Sequence, residues 1–185
     1  MKTAKHLQLD NFEIIANKAW EMISQLESLP TDSYLFYADD RSRPESDRFK
    51  TIPELSDNLK KLGWYDYWIN TAIVFAYESG LSIHQDYGTP NYSLLIPIRN
   101  TKDTYTVFYD TYGEPEKRQL DNGGTFYWYP PEQAKEIDRI ESTSPTLINI
   151  KTPHGVLNNS KIQPRVLITL RFHPDFDQQL SFDRY

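Results

Sequence analysis

Two stretches of this chain carry metal-binding residue types, and an arginine follows them. The first is Ser82-Ile83-His84-Gln85-Asp86-Tyr87. The second, far downstream, is Thr152-Pro153-His154-Gly155-Val156, with Arg165 shortly after it. Two imidazoles and one carboxylate form a ligand set that covers one face of a transition-metal ion and leaves coordination positions open. A guanidinium nearby can grip a carboxylate through two parallel N–H donors. These residues point to metal-centred chemistry assisted by an anionic co-substrate.

Such side chains must be held by strands. In an extended segment residues i and i+2 share a face, so His84 and Asp86 converge if Leu81–Asp86 is a strand, and Gln85 points away. A third ligand has to come from another strand. Thr146-Leu147-Ile148-Asn149-Ile150 is β-branched and apolar enough to be one, and Pro153 marks its end just before His154. Residues 155–160 read as a turn-rich link. Arg165-Val166-Leu167-Ile168-Thr169-Leu170-Arg171-Phe172 then reads as a strand, with Arg165, Leu167, Thr169 and Arg171 on one face. Arg165 opens that strand and is the first choice for an anion anchor, with Arg171 and Lys151 next. Thr169 can add a hydroxyl donor.

On His84-Gln85-Asp86 as a His-X-Asp motif, His154 as a distal histidine and the run Arg165-Val166-Leu167-Ile168-Thr169, the sequence resembles the 2-oxoglutarate- and Fe(II)-dependent oxygenases. It is similar to their prolyl-hydroxylase-like members over residues 71–173. The resemblance implies a double-stranded β-helix, or jelly roll. It also implies Fe(II) held by His84, Asp86 and His154, and 2-oxoglutarate anchored by Arg165 with help from Thr169. O2 would be the second co-substrate, and succinate and CO2 the co-products. Because halogenating relatives lack the carboxylate that Asp86 supplies, it implies hydroxylation. The substrate stays open between a protein side chain and a small molecule.

His-X-Asp on its own is a common tripeptide, and each residue also has a plain structural reading. His84 could be a hydrogen-bonded strand histidine, His154 a turn histidine after proline, and Arg165 a surface charge. Their order along the chain favours the joint reading. Two other classes fit the same residues: a cupin-like metalloenzyme that does not use 2-oxoglutarate, and a non-catalytic jelly-roll binding or structural module.

Composition narrows the setting. The chain has 185 residues, a length that suits one domain with a sizeable core, and its 14% aromatic content supplies large apolar surfaces. It contains no cysteine, which removes disulfides, thiolate metal sites and cysteine nucleophiles. A net charge of −6 with scattered Lys and Arg argues against a nucleic-acid partner. No apolar run reaches membrane-spanning length and no signal-peptide core opens the chain, so the expected location is cytoplasmic, without a membrane partner. Oligomeric state is not readable.

Residues 1–70 are expected as a helical flank, 71–173 as the jelly-roll core and 174–185 as a tail. A helix should start at Asp10 as N-cap, use Phe12, Ile15, Ala16, Ala19, Ile23 and Leu26 as its apolar face, and stop at Leu29-Pro30. Residues 38–50 read as a solvated connector, with a lid as the other reading. Thr51 and Glu54 suggest a capping box ahead of a second helix that Gly63 ends. Both helices should pack outside the sheet. Strands are expected at 72–77, 81–86, 92–98, 104–109, 125–129, 147–150 and 166–172, with a short helix or weak strand at 132–140. Asn122-Gly123-Gly124 reads as a hairpin turn. Trp64 to Trp68 reads as core and rim packing, and His6 and His173 as surface residues. Tyr87, Tyr92 and Arg171 are the candidate substrate contacts.

Overall fold

Alternation and β-branching dominate the chain, and they produce two six-stranded antiparallel sheets. The computed structural model describes residues 3–26, 34–37, 47–78, 80–86, 91–119, 125–178 and 180. The first sheet contains β1 (Ala4–His6), β2 (Tyr34–Tyr37), β3 (Trp68–Ala76), β5 (Tyr92–Arg99), β10 (Thr146–Asn149) and β12 (Arg165–Phe172), in the order β1-β10-β5-β12-β3-β2. The second contains β4 (Leu81–Asp86), β6 (Thr104–Thr111), β7 (Glu116–Gln119), β8 (Thr125–Trp128), β9 (Ala134–Glu141) and β11 (His154–Asn158), in the order β7-β8-β4-β11-β6-β9. From β3 to β6 and again from β9 to β12 consecutive strands alternate between the sheets, as in a jelly roll, and the expected fold class is the one observed.

Two helices cover the outer face of the first sheet. α1 (Phe12–Ser24) buries Ile15, Ala19 and Ile23, and α2 (Pro53–Lys61) buries Leu55 and Leu59. These meet Ile73, Phe75, Leu94, Ile96, Val166, Ile168, Leu170 and Phe172 in the main hydrophobic core. Trp64, Phe172 and Phe176 extend it, with Phe172 and Phe176 stacked at 4.1 Å. Each such side chain stabilises the fold by roughly 1.5–3 kcal/mol on burial, so most of the apolar stabilisation lies on this side.

Several local expectations change. The N-cap of α1 is Asn11, in the left-handed region, and its carbonyl accepts from the N–H groups of Ile14 and Ile15. Asp10 is taken instead by Asn58, which bonds both its N–H and its carbonyl, and by an ion pair to Lys61 at 2.6 Å. The capping box does not form. Thr51 donates to the Arg48 carbonyl within a 3-10 turn, Glu54 pairs with Lys18, and Ile52 caps α2 with Pro53 as first helical residue. Gly63, at φ 71°, lies just beyond the C-cap Leu62; it bonds the Lys60 carbonyl while Trp64 bonds that of Leu59, a Schellman closure.

The helical flank also supplies two edge strands of the first sheet, β1 and β2. Both are three or four residues long, too short for period two to declare itself. Residues 134–141 form a full edge strand, and residues 131–133 a 3-10 turn before it. The largest change concerns residues 155–158, expected as a link: together with His154 they form β11, paired on both sides. Leu29-Pro30, residues 38–46, Tyr87 and Asn122-Gly123-Gly124 lie outside the described residues. Among the described residues no helix is long and apolar enough to cross a membrane.

Candidate functional site

The space between two packed sheets is ordinarily an apolar core. Here the apolar part is small, built on Phe108, Ile148 and Ile150. Beside it are Thr106, Ser142, His154, Arg165 and Thr169, all buried. Burying so many polar groups is unfavourable unless each finds a partner, and an interior arranged this way suits a ligand.

His154 opens β11 directly opposite His84 of β4 on one side and Phe108 of β6 on the other. Residues opposite in a ladder share a face, so the two imidazoles lie together, with ring centroids 4.5 Å apart. Both rings are oriented alike. Nδ1 of His84 donates to the Ser82 carbonyl at 2.8 Å, and Nδ1 of His154 to the Thr152 carbonyl at 2.9 Å. A carbonyl only accepts, so Nδ1 carries a hydrogen in each ring, and in the neutral form the lone pair is left on Nε2. Burial, and then the nearby His84, push the pKa of His154 down to about 4, so it is neutral near pH 7. Two imidazoles held this way present Nε2 for metal ligation in their neutral forms.

Asp86 lies two residues beyond His84, on the same face, opposite Phe126 of β8. Burial opposes its ionisation, but Arg171 first, then His84, His154 and Lys151, hold its carboxyl below the ordinary value. It stays an anion. Its Oδ2 accepts from Nη1 of Arg171 at 3.1 Å, across the gap between the sheets. With the carboxylate turned to Arg171, no group of three or more His, Asp or Glu side chains is gathered in metal-binding geometry among the described residues. The ligand types fit a divalent ion and the histidine pair is ready; the third ligand is engaged elsewhere.

Arg165 is 1% exposed. Its Nη2 donates to Ser142 at 2.8 Å and to Thr106 at 3.4 Å, while Nε and Nη1 have no hydrogen-bond partner. Burial lowers its pKa to about 9, which still leaves it charged at neutral pH. A buried cation with unfilled donors costs several kcal/mol, and a carboxylate on either edge of the guanidinium, Nε with Nη2 or Nη1 with Nη2, would lower that cost. Thr106 is two residues from Phe108, the ladder partner of His154, which puts its row about 7 Å from the histidine row. Thr169 is on the same face as Arg165 and sits opposite Ala72 and Leu95, with Leu95 packed on the interior cluster.

The structure thus brings His84, Asp86, His154, Arg165, Thr169 and Arg171 to one interior. Tyr92 is not among them. Period two puts it with Leu94 and Ile96, and it packs on the helix-side core, where burial and then Asp177 raise its hydroxyl pKa. Tyr87 lies outside the described residues. Thr106 and Ser142, the partners of Arg165, went unnoticed in the sequence. The alternation Thr104, Thr106, Phe108 could have revealed the first, whereas Ser142 follows an exposed edge strand and gives no signal. Phe126, half-exposed and edge-on to His84 at 5.7 Å, was also missed.

Comparison with protein-family models and with curated proteins gives no match. Solved structures do match in shape. HygX from Streptomyces hygroscopicus, with nickel and 2-oxoglutarate bound, superposes with TM-score 0.52 at 13% identity, covering 94% of this chain and 82% of that one. The epimerase SnoN, in complex with Fe3+, alpha ketoglutarate and nogalamycin RO, gives TM-score 0.50 at 13% identity, covering 91% and 77%. An oxalate decarboxylase is more distant, at TM-score 0.39 over 29% of its chain, and supports no argument. At these identities the likeness establishes the cupin-like jelly-roll fold, one that enzymes use.

Proposed function

We propose that the protein is an Fe(II)- and 2-oxoglutarate-dependent oxygenase that hydroxylates a small molecule or a protein side chain. One juxtaposition carries this reading: a pair of imidazoles tied at Nδ1 to backbone carbonyls, sharing an interior with buried Arg165, whose Nε and Nη1 have no hydrogen-bond partner. His84 and His154 would hold the metal with Asp86 as third ligand. Arg165, with Thr169, would hold the distal carboxylate of 2-oxoglutarate. Overall, one atom of O2 would enter the substrate and the other succinate, with loss of CO2.

The bound metal would supply oxygen activation at positions the protein leaves open. The chain's own residues do the rest. The Ser82 and Thr152 carbonyls fix the imidazole tautomers, so neither ring has to rearrange to ligate. Ser142 and Thr106 orient Arg165 so that its two remaining donors stay available. Phe108, Ile148 and Ile150 line the interior beside His154 and Asp86 and limit bulk water there. Phe126 and Arg171, both partly exposed, border the region where a substrate would enter.

The test is succinate release from 2-oxoglutarate under Fe(II) and O2 with a panel of candidate substrates, comparing wild type with His154→Ala. Succinate formed by wild type and lost in the variant is the expected result. A second reading, a cupin-like metalloenzyme independent of 2-oxoglutarate, is favoured by one observation: Asp86 is bound to Arg171 and not gathered with the histidines. Activity that survives Arg165→Met would select it.

A further inference from the structure

Asp86 is fixed at its backbone and movable only at its side chain. Its N–H donates to the Ile150 carbonyl at 3.2 Å, its carbonyl accepts from Lys151 Nζ at 3.1 Å, and the residue is paired with Phe126 in the ladder. The carboxylate leans toward the opposite sheet, onto Arg171, with both side chains only partly exposed at 21% and 16%. A side-chain rotation suffices to move it from the guanidinium toward the histidines, because His84 and Asp86 share a face two residues apart. Arg171 is likewise fixed at its backbone, where β12 pairs it with Asn70 of β3 and Ser93 of β5.

We propose that Arg171 is a clamp on the metal centre: it holds the Asp86 carboxylate away from the histidine pair and yields it when a divalent cation enters. The inference rests on the metal site described above and adds a competitor that the ligands alone do not reveal. Arg171 opposes the metal twice, once by occupying the third ligand and once by its positive charge close to the site. Metal binding then exchanges one N–H···O contact for a coordination bond and leaves the guanidinium facing the partly exposed end of the interior. By linkage, whatever engages Arg171 there tightens metal binding, and the metal tightens its binding in return.

Mn2+ binding to the metal-free protein, measured by calorimetry, tests the clamp. Arg171→Gln removes the charge and the Nη1 contact and should bind Mn2+ roughly tenfold more tightly than wild type. Arg171→Lys, which keeps the charge, should fall between them. A residue that merely shaped the site would give the opposite sign, weaker binding on removal. Equal or weaker Mn2+ binding by folded Arg171→Gln overturns the proposal. A crystal structure of wild type with Mn2+ decides the matter without a variant: Asp86 on the metal and off Arg171 is expected, and Asp86 still on Arg171 overturns it. His154→Ala separates the two levels of failure. If Mn2+ binding by wild type is absent, or unchanged in His154→Ala, the metal site itself is wrong and the clamp falls with it.

Discussion

Burial and hydrogen bonding act together at His154. The ring is neutral in the fold with a pKa near 4, whereas an unfolded histidine titrates near 6.5. The folded pKa is the lower one, so stability is fully present above pH 6.5. It is lost as pH falls toward 4, by roughly 3 kcal/mol in total. Urea denaturation of the metal-free protein across that range should show the decline, and His154→Gln should flatten it; a wild-type curve flat between pH 7 and 4 would contradict the buried neutral ring. Arg165 gives a second residue-scale prediction. Its buried, half-satisfied charge opposes folding, so Arg165→Met should leave the ligand-free protein as stable as wild type or about 1 kcal/mol more so. Loss of several kcal/mol would mean that Nε and Nη1 are satisfied after all. The three residues His84, His154 and Arg165 were legible in the sequence because their types bear chemistry and their order is informative. Their supports were not, since the Ser82 and Thr152 carbonyls, Thr106 and Ser142 are ordinary groups given meaning only by contact.

Strand pairing decides where the ligands meet. β4 and β11 carry the two histidines, and their ladder is irregular between His154 and Val156. Gly80 leads into β4 at φ +64°, and a Cβ there would lie 2.1 Å from the Val156 carbonyl oxygen. No side chain can be accommodated without moving one strand against the other. Gly80→Ala should therefore cost about 2 kcal/mol or more and weaken metal binding through misalignment of His84 and His154. Unchanged denaturation midpoint and unchanged Mn2+ affinity would contradict this role. At this scale the long apolar strands were readable, β12 above all, because it is buried on both faces. β11 was not. Gly155, Asn158 and Asn159 look like turn residues, yet Gly155 serves a close strand approach, its Cβ position lying 3.0 Å from the Leu81 carbonyl oxygen. Asn158 turns inward to bond the Ala76 carbonyl and Gln163.

The whole molecule divides its labour between two interiors. Apolar burial between the helices and the first sheet stabilises the fold, which frees the space between the sheets to hold charged and polar groups that would otherwise be unfavourable there. The jelly-roll class was legible from strand number and spacing, and the helices were correctly expected outside the sheet. The polar character of the sheet-to-sheet interior emerged only from the crossing of β12 against β6 and β4, which no local pattern encodes. The account's central claim is that this interior binds a divalent metal at His84 and His154 and an anionic co-substrate at Arg165. Anaerobic calorimetry of 2-oxoglutarate with Fe(II)-loaded protein tests it most directly. One equivalent should bind to wild type, with affinity strongly reduced by Arg165→Lys, which loses the planar fork, and with binding abolished when Fe(II) is omitted or His154 is replaced by Ala. Absence of binding to Fe(II)-loaded wild type, or binding indifferent to both substitutions, would contradict the claim.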